Sequence, residues 1–175
     1  NFGQSCDLIT IEIENVNTQA LSDLAKAGKK VFPQPSIIEL IQDKRKQKDF
    51  FVAIQIPTAE FILVENRNDV IAKQHFLPAV NKLGREGYDG RGVQMLRNQN
   101  DLSKAFDAPG LLEKLIDFEK EIAVIVSRNE NGEISSYPPV EMVFHPEANL
   151  VEYLFSPAQV DQAVLIKAEK IARKV

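Results

Sequence analysis

Four glycines fall within nine residues, Gly84-Arg85-Glu86-Gly87-Tyr88-Asp89-Gly90-Arg91-Gly92. Two apolar runs flank them, His75 to Lys82 and Val93 to Leu96, and both read as strands. Glycine has no Cβ, so such a backbone can turn tightly and approach a ligand closely. The order strand, loop, strand restricts what the loop can be. A Walker loop needs G-x-x-x-x-G-K-[ST], and a dinucleotide fingerprint needs G-x-G-x-x-G opening a helix. Neither is present. A glycine-rich hairpin fits a flap, whose N–H groups face phosphates and whose closure excludes water. A plain surface turn is the simpler reading of the loop by itself.

The rest of the chain alternates strands and helices and reads as α/β (α+β). Asp7 to Glu14 alternates with a period of two, with Ile9, Ile11 and Ile13 on one side. Asn17-Thr18 predicts a helix start and Gly28 its end, before a short strand Lys30-Val31-Phe32. This reads as the last part of an α/β unit, so the chain is expected to begin inside a domain and to leave Ile9, Ile11 and Ile13 uncovered. Ser36 with Glu39 predicts a capping box opening one helix that runs through Phe50 and Phe51 to Ile54. Lys44, Arg45, Lys46 and Lys48 fall on its polar side, which for most of them implies a solvated face. Further strands are expected at Phe61 to Val64, Leu111 to Ile116, Glu121 to Ser127, Glu133 to Phe144 and Asn149 to Phe155. Short helices are expected over Asn68 to Gln74 and after Asp101. Asn131-Gly132 is a strong hairpin signal. A helix bearing Val160, Val164, Ala168, Ile171 and Val175 follows Pro157 and stops without a cap.

Composition narrows the function classes. A net charge of −4 gives no basic field for nucleic acid. The single cysteine, Cys6, cannot form an internal disulfide, which fits a reducing cytosol. Only two histidines, His75 and His145, are available, so a zinc site is hard to assemble. No apolar run is long enough to span a bilayer.

Three features near the loop suggest chemistry. Lys82 ends the strand feeding the loop and can offer a point charge to a phosphate. Glu113-Lys114-Leu115-Ile116 ends another strand, where backbone groups can read an adenine edge. Glu121 follows and can accept both ribose hydroxyls. Each alone is more simply a surface residue or an ordinary strand.

Together these segments resemble one family. The helix Asp43-Lys44-x-x-x-Lys48 followed by Ile56-Pro57-Thr58-Ala59, then PAVNK, GYDGRG, LLEKLIDFEKEIAVIVSRN and YPPVEMVFHPEANLVEYLFSPA, look like the 5-(carboxyamino)imidazole ribonucleotide synthetases, which are ATP-grasp ligases. DLITIEIENV resembles the end of that family's N-terminal domain. The resemblance covers nearly the whole chain, and GYDGRG is its sharpest element.

It implies an incomplete ATP-grasp fold carrying the tail of an N-terminal α/β (pre-ATP-grasp) domain. The implied divisions are the domain tail at 1–35, the linker helix and entry at 36–73, a small subdomain with the flap at 74–120 and the start of a large subdomain at 121–175. Carried over by position, Lys44 and Lys82 match phosphate residues, and Gly87, Tyr88, Asp89, Gly90, Arg91, Gly92 and Val93 match the flap. Glu113, Lys114, Leu115 and Ile116 match the adenine hinge, Glu121 the ribose carboxylate, and His145 a histidine near the nucleotide. Position 44 is often Arg in the family, Glu86 stands where a second glycine is usual, and Val93 replaces a common Gln. The Glu141 to His145 spacing is one residue longer than the usual pattern.

The implied substrates are ATP, bicarbonate and aminoimidazole ribonucleotide, with Mg2+ as cofactor and its ligands expected beyond Val175. No catalytic or metal residue is assigned within the chain, which is expected to be inactive alone. Glu12 and Glu14 end a strand where α/β folds gather ligands, so one of them is a candidate to face the ribonucleotide, with a solvated strand end as the alternative. The family also implies a cytoplasmic homodimer. The alternatives are another ATP-grasp ligase, such as a formate-dependent ribonucleotide transformylase or a carboxylase subunit, and a non-catalytic nucleotide-binding module.

Overall fold

The computed structural model describes residues 2–87, 91–145 and 150–175. The chain divides into two compact units, residues 1–50 with 59–115, and residues 51–58 with 116–175.

The first unit opens with a small α/β layer. Strand β1 (Leu8–Thr10) pairs parallel with β2 (Lys30–Phe32), and helix α1 (Thr18–Lys26) connects them. Asn17 caps α1 as expected, its side chain accepting from the Ala20 N–H. Gly28 closes the helix at φ +84°. There the Lys29 N–H reaches the Leu24 carbonyl and the Gly28 N–H reaches Ala25, which is a Schellman stop. The strand expected to run from Asp7 to Glu14 covers only three residues. Its partner strand ends at Pro33, which has no N–H to extend a ladder. Ile9 and Ile11 pack against the buried Leu21, Val31 and Ile38, contrary to the expectation that they lie uncovered, and Ile13 is exposed.

The helix expected from Ser36 to Ile54 is two helices, α2 (Pro35–Ile41) and α3 (Lys44–Ala53). The capping box does not form. Pro35 takes the first helical position, where its missing N–H costs nothing, so Ser36 lies one residue too far in to cap. Glu39 pairs with Lys46 instead, at 3.0 Å. Asp43 separates the helices and its carboxylate accepts the Arg45 N–H at the start of α3.

A four-stranded antiparallel sheet forms the rest of this unit, in the order β3 (Phe61–Val64), β6 (Gly110–Lys114), β4 (Ala79–Leu83), β5 (Val93–Leu96). One face carries Val64, Ala79, Leu96 and Leu112. They pack against Val70 of α4 (Arg67–Ala72), with Phe76 and Ala105. The run from His75 is not strand throughout. Gln74–Phe76 forms a 3₁₀ turn and β4 begins at Ala79, after Pro78. The segment at Asp101 is also a 3₁₀ helix (Gln99–Lys104), capped by Asn98. Asp101 instead accepts from the Arg97 N–H and from Lys104.

The second unit contains the antiparallel sheet β11 (Val151–Phe155), β10 (Val140–Phe144), β7 (Glu121–Ala123). The hairpin β8 (Val126–Arg128) and β9 (Ile134–Ser136) turns at Asn131-Gly132 as expected, with Gly132 at φ +82°. The first two of the three strands expected here are each split in two, the second of them at Pro138-Pro139. Helix α5 (Gln162–Lys174) follows, and its Arg173 reaches the Ile134 carbonyl and the Ser136 hydroxyl. Among the described residues no helix is long and apolar enough to cross a membrane.

Candidate functional site

Side chains alternate along a strand, so the sheet of the first unit has a second face beside its core face. Val80 and Lys82 of β4 share it with Leu111 and Glu113 of β6, and Phe61 of β3 lies in register with Glu113. Lys82 and Glu113 are diagonal neighbours on this face and form an ion pair at 2.9 Å. Helix α3 adds Lys48, whose ammonium lies 2.5 Å from the other Glu113 oxygen. One carboxylate thus bridges two lysines.

Burial favours the neutral form of Glu113, but the adjacent Lys48 and Lys82 outweigh it and hold the carboxyl below its ordinary range. The Lys48 side chain is only 11% exposed and Lys82 is 27% exposed. Lys82 is therefore the more accessible end of the trio. Lys48 also lies 5.5 Å from the Phe61 ring centre.

The glycine-rich segment is the β4–β5 hairpin, as its sequence requires. The Leu83 N–H donates to the Gly92 carbonyl at 2.9 Å, and Gly92 has φ +72°. An added Cβ on Gly92 would lie 2.9 Å from the Gly87 Cα, so the two arms pass closely. Tyr88, Asp89 and Gly90 lie outside the described residues. Arg91 is exposed at the hairpin, and Val93 opens β5 opposite Lys82. Glu86, expected to stand where glycine is usual, sits at φ +66°. A side chain there is strained, which is the physical reason glycine suits the position.

Helix α3 also touches the base of this loop. The Lys44 ammonium donates to the Gly87 carbonyl at 3.3 Å, and the Lys44 N–H donates to Gly84. Asp43 is 2% exposed and accepts from Arg45 through both oxygens and from Arg85 at 3.3 Å. The hydrogen bond from Arg45 is the main reason its carboxyl falls to about 2. A cavity of about 570 Å³ opens beside these groups, lined by Glu14, Gln42, Lys44, Arg85, Glu86 and Gly87 among others. Glu14 therefore lines a pocket together with the loop base.

The segment Glu113 to Ile116, expected as a hinge, has two of its backbone N–H groups already bonded within the chain. Strand β6 ends at Lys114, not Ile116. The Lys114 N–H is taken by the Glu60 carbonyl and the Leu115 N–H by Pro78. The Lys114 ammonium donates to the Phe76 carbonyl and lies 4.6 Å from that ring centre. In the second unit, Glu121 opens β7 in register with Met142. His145 follows β10 and its N–H donates to the Leu150 carbonyl.

Sequence reading missed Lys48 and Asp43 as parts of this cluster. The available signal was the spacing, since Lys44 and Lys48 are four apart and lie on one helix face.

The chain matches the ATP-grasp domain model over residues 49–175 and the ribonucleotide synthetase preATP-grasp domain model over residues 1–42. It is 34% identical to an N5-carboxyaminoimidazole ribonucleotide synthase of Synechococcus elongatus, covering 98% of this chain and 45% of that protein. A carboxyaminoimidazole ribonucleotide synthase structure from Aspergillus clavatus, complexed with ATP, superimposes with a TM-score of 0.90 at 35% identity, covering 98% of this chain and 46% of that one. One from the same organism with ADP and 5-aminoimidazole ribonucleotide gives 0.86 at 31%, with the same coverage. The chain spans less than half the length of the curated relatives it matches. On the sequence match and on the fold alike, the chain belongs to the ATP-grasp family.

Proposed function

We propose that the full protein carboxylates 5-aminoimidazole ribonucleotide with bicarbonate at the expense of ATP, yielding 5-carboxyaminoimidazole ribonucleotide, ADP and phosphate in purine biosynthesis. The observation that carries this is the lysine pair around Glu113, with Lys82 its more accessible member, beside a glycine-rich hairpin. It occurs in a chain similar to structures described with ATP and with the ribonucleotide.

In this reading Lys82 and Lys44 meet the nucleotide phosphates, and the N–H groups of residues 87–93 close over them. Glu113 to Ile116 form the adenine hinge, Glu121 accepts the ribose hydroxyls and His145 lies near the nucleotide. A bicarbonate oxygen attacks the γ-phosphorus and ADP leaves, giving carboxyphosphate. The ribonucleotide amine then attacks the carboxyl carbon and expels phosphate, or adds to carbon dioxide released from carboxyphosphate along with phosphate, and in either case loses a proton. Charge builds on phosphate oxygens during the first step, so fixed cations and N–H donors lower its barrier. Carboxyphosphate hydrolyses readily, so a closing hairpin also protects it from water. Glu14, which lines a pocket with Gln42 and Arg85, is proposed to face the ribonucleotide.

The family resemblance implies magnesium. Among the described residues no three His, Cys, Asp or Glu side chains group as a metal site. The residues described do not form one, and the roles proposed for them do not run through a metal. The 175-residue chain, which spans under half of such relatives, is proposed to hold nucleotide contacts without turning over alone.

The test is ADP release by the full-length protein with the ribonucleotide and bicarbonate each supplied or omitted. Release that requires both supports the proposal. ADP release indifferent to the ribonucleotide would refute the acceptor assignment.

A further inference from the structure

We propose that Lys48 is a positioning residue for nucleotide binding, compensating the Glu113 carboxylate so that Lys82 presents its charge to a phosphate. This rests on the nucleotide reading of Lys82 and adds a residue to it.

The argument starts from charge. Glu113 is 17% exposed and each of its oxygens holds one ammonium, Lys48 at 2.5 Å and Lys82 at 2.9 Å. The charged groups described as facing it are Lys48 from α3 and Lys82 from β4, while β3 presents Phe61 in register. The trio carries a net charge of +1. Without Lys48 the remaining pair is neutral, and a lysine neutralised by its own carboxylate attracts phosphate weakly. As Lys82 turned to a phosphate, Glu113 would also be left half-buried without a counter-charge, an unfavourable state.

Lys48 itself is badly placed to reach a ligand. Its side chain is 11% exposed, and it also lies 3.4 Å from the Ala59 carbonyl. Its effect on a phosphate must therefore pass through Glu113. Helix α3 supports the arrangement, because it places Lys44 one turn before Lys48 and Lys44 reaches the Gly87 carbonyl at the flap. One helix face thus sets both the loop base and the trio.

The test uses the full-length protein and ADP, measured by calorimetry near pH 6, 7 and 8 in buffers of different ionisation heat, with K48M, K48R, K82A, E113Q and the double variant K48M/E113Q. The wild type is expected to bind ADP with little pH dependence from this cluster. In K48M, Glu113 loses its second partner when Lys82 turns to the phosphate, so its bound-state pKa rises. ADP binding then takes up a proton, weakens as pH rises and recovers as pH falls. The expected loss near pH 8 is about tenfold or more. K48R keeps the charge and should bind within about threefold of wild type. K48M/E113Q should bind ADP as E113Q alone does at every pH, because without the Glu113 charge Lys48 has nothing to compensate.

Unchanged ADP affinity in K48M overturns the inference. So does an equal loss at every pH, with no proton uptake and the same loss when E113Q is the background, because that pattern marks a purely structural lysine. If K48M does not fold, the comparison of K48M/E113Q with E113Q decides, with equal affinity supporting the inference and a large further loss overturning it. The underlying reading fails separately, if K82A binds ADP as well as the wild type does.

Discussion

Replacing Asp43 by Asn tests how the loop base is held. Asp43 is 2% exposed and its two oxygens accept the Arg45 backbone N–H, the Arg45 guanidinium and Arg85. Its carboxyl lies at about 2 against an ordinary 3.8. A depressed carboxyl stabilises the fold in its ionised form, here by about 2 kcal/mol. That contribution is complete above the unfolded pKa and is lost as pH falls towards the folded value. Asn keeps the shape but turns an N–H₂ group towards guanidinium donors, leaving a buried polar clash. The D43N variant should therefore be about 2–4 kcal/mol less stable at neutral pH. The assay is urea unfolding of the 175-residue chain, wild type and D43N, near pH 7, 4 and 2.5. The gap should be wide near pH 7 and narrow by about 2 kcal/mol towards pH 2. A gap that stays constant across this range, or one below about 0.5 kcal/mol near pH 7, would refute the argument.

Three other substitutions probe the sheet and the hairpin. An added Cβ at Gly110 would lie 2.1 Å from the Lys82 carbonyl oxygen. G110A must therefore push β6 from β4, with an expected cost of about 3 kcal/mol or more in urea unfolding. Asn81 is 1% exposed, donating to the Leu111 carbonyl and accepting the Phe106 N–H. N81L should cost about 2–4 kcal/mol by orphaning both groups, and unchanged stability would show that they find other partners. Glu86 at φ +66° is strained, so E86G should raise stability by up to about 1 kcal/mol, read as a higher urea midpoint.

Much of the fold was legible because its signals are local. Asn17 and Gly28 bracket α1 through bonds spanning five residues or fewer. Asn131-Gly132 turns its hairpin, and the spacing of strands around Gly84 to Gly92 made the loop a hairpin rather than a strand-to-helix turn. Where two local signals competed, sequence reading chose wrongly. Ser36 with Glu39 had the spacing of a capping box, but Pro35 claimed the helix start. Strands were read too long at Glu12 and at His75 because alternation does not reveal where a partner strand ends.

The candidate site divides in the same way. The glycines, Lys82 and Glu113 could be picked out from the sequence because each ends or joins a patterned element. That Glu113 bridges Lys82 and Lys48 depends on contacts spanning 31 and 65 positions, and no local pattern encodes them. Lys44, Arg45, Lys46 and Lys48 look alike as a charged run. Only the packing of α3 against the sheet makes Lys46 a surface partner of Glu39 and Lys48 a buried partner of Glu113. The sequence by itself determined the order of elements and the glycine-rich hairpin, because backbone preferences act over a few residues. The tertiary structure alone decided which charges lose water and meet, because desolvation depends on what folds over a side chain, not on its neighbours in the chain.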